Sequence, residues 1–183
     1  MKLMIIGHAR HGKDTVAELL AKQYRMKFVS SSWWCAENVL MPAFKNSPNR
    51  PVTGRPKPGV ELFGYNSVKE CFEDRHNHRE FWHKVIGEYC EQDLPRMGLQ
   101  ILDQYDIYVG CRNFREFEAI KAAAAFDFSI WVDASKRLPP EDERSMGLFP
   151  WQADYILDNN GTIEQMAKGL NRLMTTLRTR GRR

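Results

Sequence analysis

No stretch of this 183-residue sequence approaches the roughly 18 consecutive apolar residues that a membrane-spanning helix needs, so no membrane partner is expected. The first apolar run, Leu3-Met4-Ile5-Ile6, is short and ends in a glycine loop, which is not the pattern of a signal peptide. No two cysteines stand at C-x-x-C spacing. Cys35, Cys71, Cys90 and Cys111 are far apart, which argues against a zinc site and for reduced thiols in or near the core of a cytoplasmic protein. No internal repeat is present. Acid is missing from residues 42–60, where Lys45, Arg50, Arg55 and Lys57 stand alone.

What remains is ordinary in bulk. Hydrophobic residues make up 43% and charged residues 27%, enough for one globular domain spanning 1–183. Net charge is +4, a weak sign of an anionic partner. Its placement says more: the 42–60 stretch is basic, and so is the tail Arg178-Thr179-Arg180-Gly181-Arg182-Arg183. Five prolines and two glycines between Pro42 and Gly59 break all periodicity, so a long loop is expected there. It either contacts phosphates or is simply solvated.

The informative stretch is Gly7-His8-Ala9-Arg10-His11-Gly12-Lys13-Asp14-Thr15. It fits G-x-x-x-x-G-K between an apolar strand and an amphipathic helix, the context of a phosphate-binding loop. Gly7 and Gly12 let the backbone turn. The loop amides then converge on an anion at the positive end of the following helix. Lys13 adds a cation for the β- and γ-phosphates. His8, Arg10 and His11 are unusual fillers. Asp14 follows Lys13 where Ser or Thr is usual, so the magnesium ligand is either Asp14 or Thr15.

Periodicity predicts strands over 2–7, 26–30, 106–110, 126–132 and 155–158. Helices are expected over 13–24, about 33–41, from Ser67, about 79–91, 94–102, 114–125 and from Thr162. The last should bury Ile163, Met166, Leu170, Leu173 and Leu177. Ser67 with Glu70, and Thr162 with Gln165, read as capping boxes. Residues 133–150 read as irregular. Alternating strands and helices imply a parallel sheet with helices on both faces, with ligand at the C-terminal strand ends. The loops after strands one, two and three should surround one pocket.

Three motifs carry a resemblance. Gly7-x-x-x-x-Gly12-Lys13-Asp14-Thr15 resembles the loop of phage deoxynucleoside monophosphate kinases. Val109-Gly110-Cys111-Arg112-Asn113-x-x-Glu116 is similar to their strand-end Asp-Val-Arg-x-x-x-Glu element. Ala153 to Thr162 resembles their terminal strand–turn–helix. The resemblance implies an α/β, three-layer P-loop kinase fold of the thymidylate-kinase-like group, with a mostly parallel sheet of about five strands. It implies ATP and Mg2+ as cofactors and a deoxynucleotide acceptor. A related phage group, similar in its loop, phosphorylates the hydroxymethyl group of 5-hydroxymethyluracil within DNA. One departure stands out: Gly110 occupies the place of the strand-end acid.

On this basis the ATP-binding residues are 7–15, and Lys13, Asp74 and Arg112 are the catalytic candidates. Arg112 either meets the acceptor or transferring phosphoryl group or pairs with Glu116. Trp33, Arg75, His76, His78 and Arg79 are candidates for holding the acceptor, with Asp74 or a histidine as base for a hydroxyl. Trp33 and Trp34, after the second strand, either stack on a base or pack in the core. The favoured acceptor is modified DNA in a phage-infected host cytoplasm. A free deoxynucleoside monophosphate and a non-catalytic ATP switch are the alternatives, and a homodimer is left open.

Overall fold

Leu3–Ile6 (β1) is buried at every position, as a strand covered on both faces must be. The computed structural model describes residues 1–46, 65–142 and 145–180. Within these, β1 lies at the centre of a five-stranded, all-parallel sheet. The other strands are β2 (Phe28–Ser30), β3 (Ile107–Val109), β4 (Phe128–Asp133) and β5 (Tyr155–Asp158), in the order β2-β3-β1-β4-β5. Leu3 pairs with Ile107 on one side and Phe128 on the other. The expected fold class is therefore what the chain adopts.

The described residues divide into two compact units. One comprises Met1–Ser30 with Leu94–Arg183, the other Ser31–Asp93. The first holds the sheet. Its helices are α1 (Lys13–Tyr24) and, after the second unit, α6 (Arg96–Gln104), α7 (Phe114–Ala122) and α8 (Ile163–Arg180). Val16, Ala17 and Leu20 of α1 and Met166, Leu170, Leu173 and Met174 of α8 pack on Leu3, Ile5, Val109 and Ile130. Ile163, expected in that stripe, is 59% exposed, because it sits in the first turn before α8 meets the sheet. Leu177 is only partly buried against the core.

The second unit is helical: α2 (Ser31–Cys35), α3 (Met41–Asn46), α4 (Val68–Asp74) and α5 (Arg79–Cys90). Trp34, Cys35, Val39, Leu40, Cys71 and Trp82 are buried. Ser67 caps α4 as expected, its side chain accepting the Glu70 N–H at 3.2 Å. The loop expected from Pro42 begins later, since α3 carries helix through Asn46. A π-helical turn, Ala36–Leu40, joins α2 to α3. Pro42 has no N–H to give an α-helix and its ring crowds the preceding turn, and a widened turn relieves both. The rest of the expected loop, with Arg50, Arg55 and Lys57, lies outside the described residues, as do 181–183 of the basic tail.

Candidate nucleotide-phosphate site

The glycine loop between β1 and α1 has the geometry its spacing implies. Gly7 has φ +139° and Gly12 φ +96°. A Cβ on Gly7 would stand 2.6 Å from the Val132 carbonyl oxygen, and one on Gly12 would strike Asn159 Nδ2. Both positions exclude a side chain twice over, by backbone conformation and by contact. Arg10, between them, is exposed and also left-handed, at φ 63°.

Lys13 opens α1 and is buried to 9% exposure. Its Nζ donates to the His8 carbonyl at 2.7 Å. Burial, and next the nearby Arg112 charge, bring its pKa down from 10.5 to about 8. Asp14 is exposed and Thr15 half-buried on the first turn.

The two histidines of the loop have structural work. His11 is fully buried, and its Nδ1 accepts the Ala134 N–H at 3.1 Å. His8 Nδ1 accepts the Glu141 N–H at 3.1 Å. Acceptance at Nδ1 leaves the proton on Nε2, so each ring is the neutral tautomer. His8 also meets the edge of Trp131 at 5.3 Å. Burial, then the neighbouring His11, hold its pKa below the ordinary value. Asn159, after β5, donates from Nδ2 to the His11 carbonyl at 2.8 Å. The loop is thus fastened to the segments that follow β4 and β5.

Arg112 follows β3 and reaches this loop through a carboxylate. Its Nη1 donates to Glu141 Oε1 at 2.6 Å, and Glu141 Oε2 accepts the Ala9 N–H at 2.5 Å. Burial opposes charge on Glu141, but the Arg112 hydrogen bond and charge, the Ala9 N–H and Lys13 hold its pKa below the usual glutamate value. The expected alternative partner, Glu116, is not the one Arg112 takes. Arg112 precedes α7, so the i,i+4 helical geometry does not apply. Glu116 is instead buried and accepts from the Tyr108 hydroxyl at 2.9 Å, and burial pushes its pKa up to about 7. Gly110, in the place of the strand-end acid, has φ +97°, a conformation that favours glycine over aspartate.

The structure brings the loop, Arg112, residues 133–141 and Asn159 together in the sheet unit. The segments after β4 and β5, which the sequence pattern did not assign to the pocket, join those after β1 and β3 here. Asp133, at the end of β4, is tied to Ser135 and Asn160. Arg137 donates to the Asn159 carbonyl through Nε at 2.9 Å and Nη2 at 2.5 Å. Among the described residues no three His, Cys, Asp or Glu side chains gather as a metal cage. A cleft of about 410 Å3 lined by Met1, Arg25, Asp106 and Arg178 lies by the N-terminal strand ends, away from the loop.

The acceptor candidates lie in the helical unit. Asp74 ends α4 and takes three donors: the Tyr65 hydroxyl at 2.6 Å, Asn77 Nδ2 at 2.6 Å and His78 Nε2 at 2.9 Å. The Tyr65 and Asn77 hydrogen bonds, in that order, hold its pKa below the aspartate norm, which makes it a weak base and an orienter of His78. Arg75 lies over the Phe72 ring at 3.8 Å and donates to the Phe72 carbonyl at 2.6 Å. Trp33 is half-buried with its ring 5.2 Å from that of Phe72. His76 and Arg79 are exposed. Tyr65 and Glu141 were invisible to sequence reasoning, since neither belongs to a motif or a periodic pattern. Asn159 was read only as part of a turn.

No family model matches the sequence, and no curated protein matches it. Solved structures do. Shikimate kinase from Bacteroides thetaiotaomicron superposes with TM-score 0.50 at 11% identity, covering 97% of this chain and 98% of that one. Dephospho-CoA kinase from Campylobacter jejuni gives 0.45 at 15% identity, over 97% and 98%. Shikimate kinase from Aquifex aeolicus gives 0.44 at 15%, over 99% and 98%. At such identities the likeness speaks of fold alone, and the Bacteroides structure carries it. Together with the parallel order β2-β3-β1-β4-β5, it gives this chain the fold of P-loop kinases.

Proposed function

We propose that this protein is an ATP-dependent P-loop phosphotransferase acting on a deoxynucleotide. The supporting observation is convergence: the Ala9 N–H and the Arg112 guanidinium meet on one anionic group beside Lys13. Phosphoryl transfer requires positioning and charge neutralisation above all, and these groups supply both. ATP would supply the transferring group, and Mg2+ would supply charge neutralisation on its phosphates. Magnesium binds through substrate phosphates plus one or two protein oxygens, and the Thr15 hydroxyl and Asp14 carboxylate on the first turn of α1 suit that demand. Lys13 and the loop amides hold the phosphates, and Arg112 neutralises charge on the transferring group.

For the acceptor we favour the 5-hydroxymethyl group of 5-hydroxymethyl-deoxyuridine in phage DNA. The basic 42–60 stretch and tail support it, being suited to a phosphate backbone. So does the Asp74–His78 pair, because a hydroxyl acceptor must lose a proton to a base. In this reading His78, oriented by Asp74, takes that proton. Arg75, His76 and Arg79 face phosphates, and Trp33 stacks on a base.

The test offers labelled ATP to the protein with duplex DNA containing 5-hydroxymethyluracil and with free deoxynucleoside monophosphates, Lys13→Ala serving as control. Label in the polymer, absent with the variant, is the expected outcome. Label only in nucleoside diphosphates replaces the DNA acceptor by a monophosphate. ATP bound but never transferred leaves a nucleotide switch and overturns the enzyme.

A further inference from the structure

The carboxylate of Glu141 is bound to the glycine loop and to Arg112 at once. It takes the Ala9 N–H with one oxygen and Arg112 with the other. The segment bearing it is fixed at two further points. The Glu141 N–H binds His8 Nδ1, and the Ala134 N–H binds His11 Nδ1. This gives a reason for histidines in a loop whose other members need only be small or basic. Lys13, meanwhile, turns its ammonium to the His8 carbonyl. The Ala9 N–H, the Arg112 guanidinium and the Lys13 ammonium, three donors an incoming phosphate would use, are thus engaged from within the chain.

We infer that Glu141 is an internal stand-in for a nucleotide phosphate, and that the 134–142 segment is an autoinhibitory latch which ATP must displace. The inference rests on the phosphate-loop reading above. A phosphate oxygen and the carboxylate compete for the single Ala9 N–H, and like charges at contact distance in a half-buried site repel strongly. The carboxylate must therefore leave, releasing Arg112 to the phosphoryl group. Nucleotide affinity measured on the wild-type protein is then the intrinsic affinity reduced by the fraction of molecules that are unlatched.

Two substitutions separate charge from shape. Glu141→Gln keeps an acceptor for Ala9 and Arg112 but removes the charge, and Glu141→Ala removes both. Calorimetric titration with inorganic pyrophosphate and with ATP, without metal, is run on wild type, both variants and Lys13→Ala, each checked for folding by thermal unfolding. Both Glu141 variants should bind each anion more tightly, by about tenfold for one lost charge-assisted contact. Lys13→Ala should bind less tightly than wild type. Equal or weaker binding by the Glu141 variants, with wild type still binding, overturns the latch and leaves the phosphate loop standing. Failure of wild type and of both variants to bind either anion overturns the phosphate loop, and the latch with it.

Discussion

Lys13 carries a charge that folding alone disfavours. Its pKa is lowered to about 8, by burial first and by Arg112 second. Below pH 8 the folded and unfolded forms are both protonated, and the folded form bears the whole penalty. Between about 8 and 10.5 the unfolded chain still binds the proton that the folded chain has lost, so stability rises with pH across that window. The penalty is on the order of 3 kcal/mol. Lys13→Met should therefore be more stable than wild type in urea at pH 7, with the gap closing as pH passes from 8 to 10.5. The same variant should lose about 10²–10³-fold in phosphoryl transfer, the usual effect of removing one group that neutralises transition-state charge. A variant less stable than wild type at pH 7 would mean that the hydrogen bond to His8 outweighs the buried charge. The turns at Gly7 and Gly12 were legible because the G-x-x-x-x-G-K spacing asks for backbone that glycine takes most readily. Glu141 was not, because its partners lie 132 and 29 residues away in sequence.

At the scale of elements, caps and apolar periodicity placed most helices, and proline misled. Asn113 shows how much one cap can hold. Its Oδ1 accepts the Arg115 N–H at 2.8 Å and the Glu116 N–H at 3.2 Å, starting α7 directly after the β3 end that carries Arg112. Asn113→Ala should lower stability by about 1 kcal/mol, a fall in Tm of roughly 2–4 °C for a chain of this size. Calorimetric melting reads it, and an unchanged Tm would show that burial of Phe117 and Ile120 alone fixes the helix start. Pro42 was taken to end helix. A π turn lets the chain absorb it, and that choice depends on packing that no local pattern encodes. Ile163 matched the apolar stripe of α8 but lies beyond the sheet's cover, since periodicity gives a face and not how far that face is covered.

For the whole molecule, the parallel sheet was legible because β1 is an unbroken apolar run and strands alternate with helices. The proposed acceptor rests instead on charge, which pattern reading cannot assign to a partner. The net charge of +4 is modest, but four of its cations fall within 42–60 with no acid among them. If these grip a DNA backbone, each contact releases a condensed counterion. The logarithm of apparent affinity then falls with the logarithm of salt concentration by roughly 0.9 per contact. A free monophosphate has no such counterion atmosphere to release. Changing Lys45, Arg50, Arg55 and Lys57 together to Gln should therefore flatten the salt slope of the KM for hydroxymethyluracil DNA by up to about 3–4. The KM for ATP, set at the loop of residues 7–15, should stay as it was. Steady-state kinetics from low to moderate salt decide it. A slope that the fourfold variant does not change would remove the basic stretch from acceptor binding, and with it the main support for a polymeric acceptor.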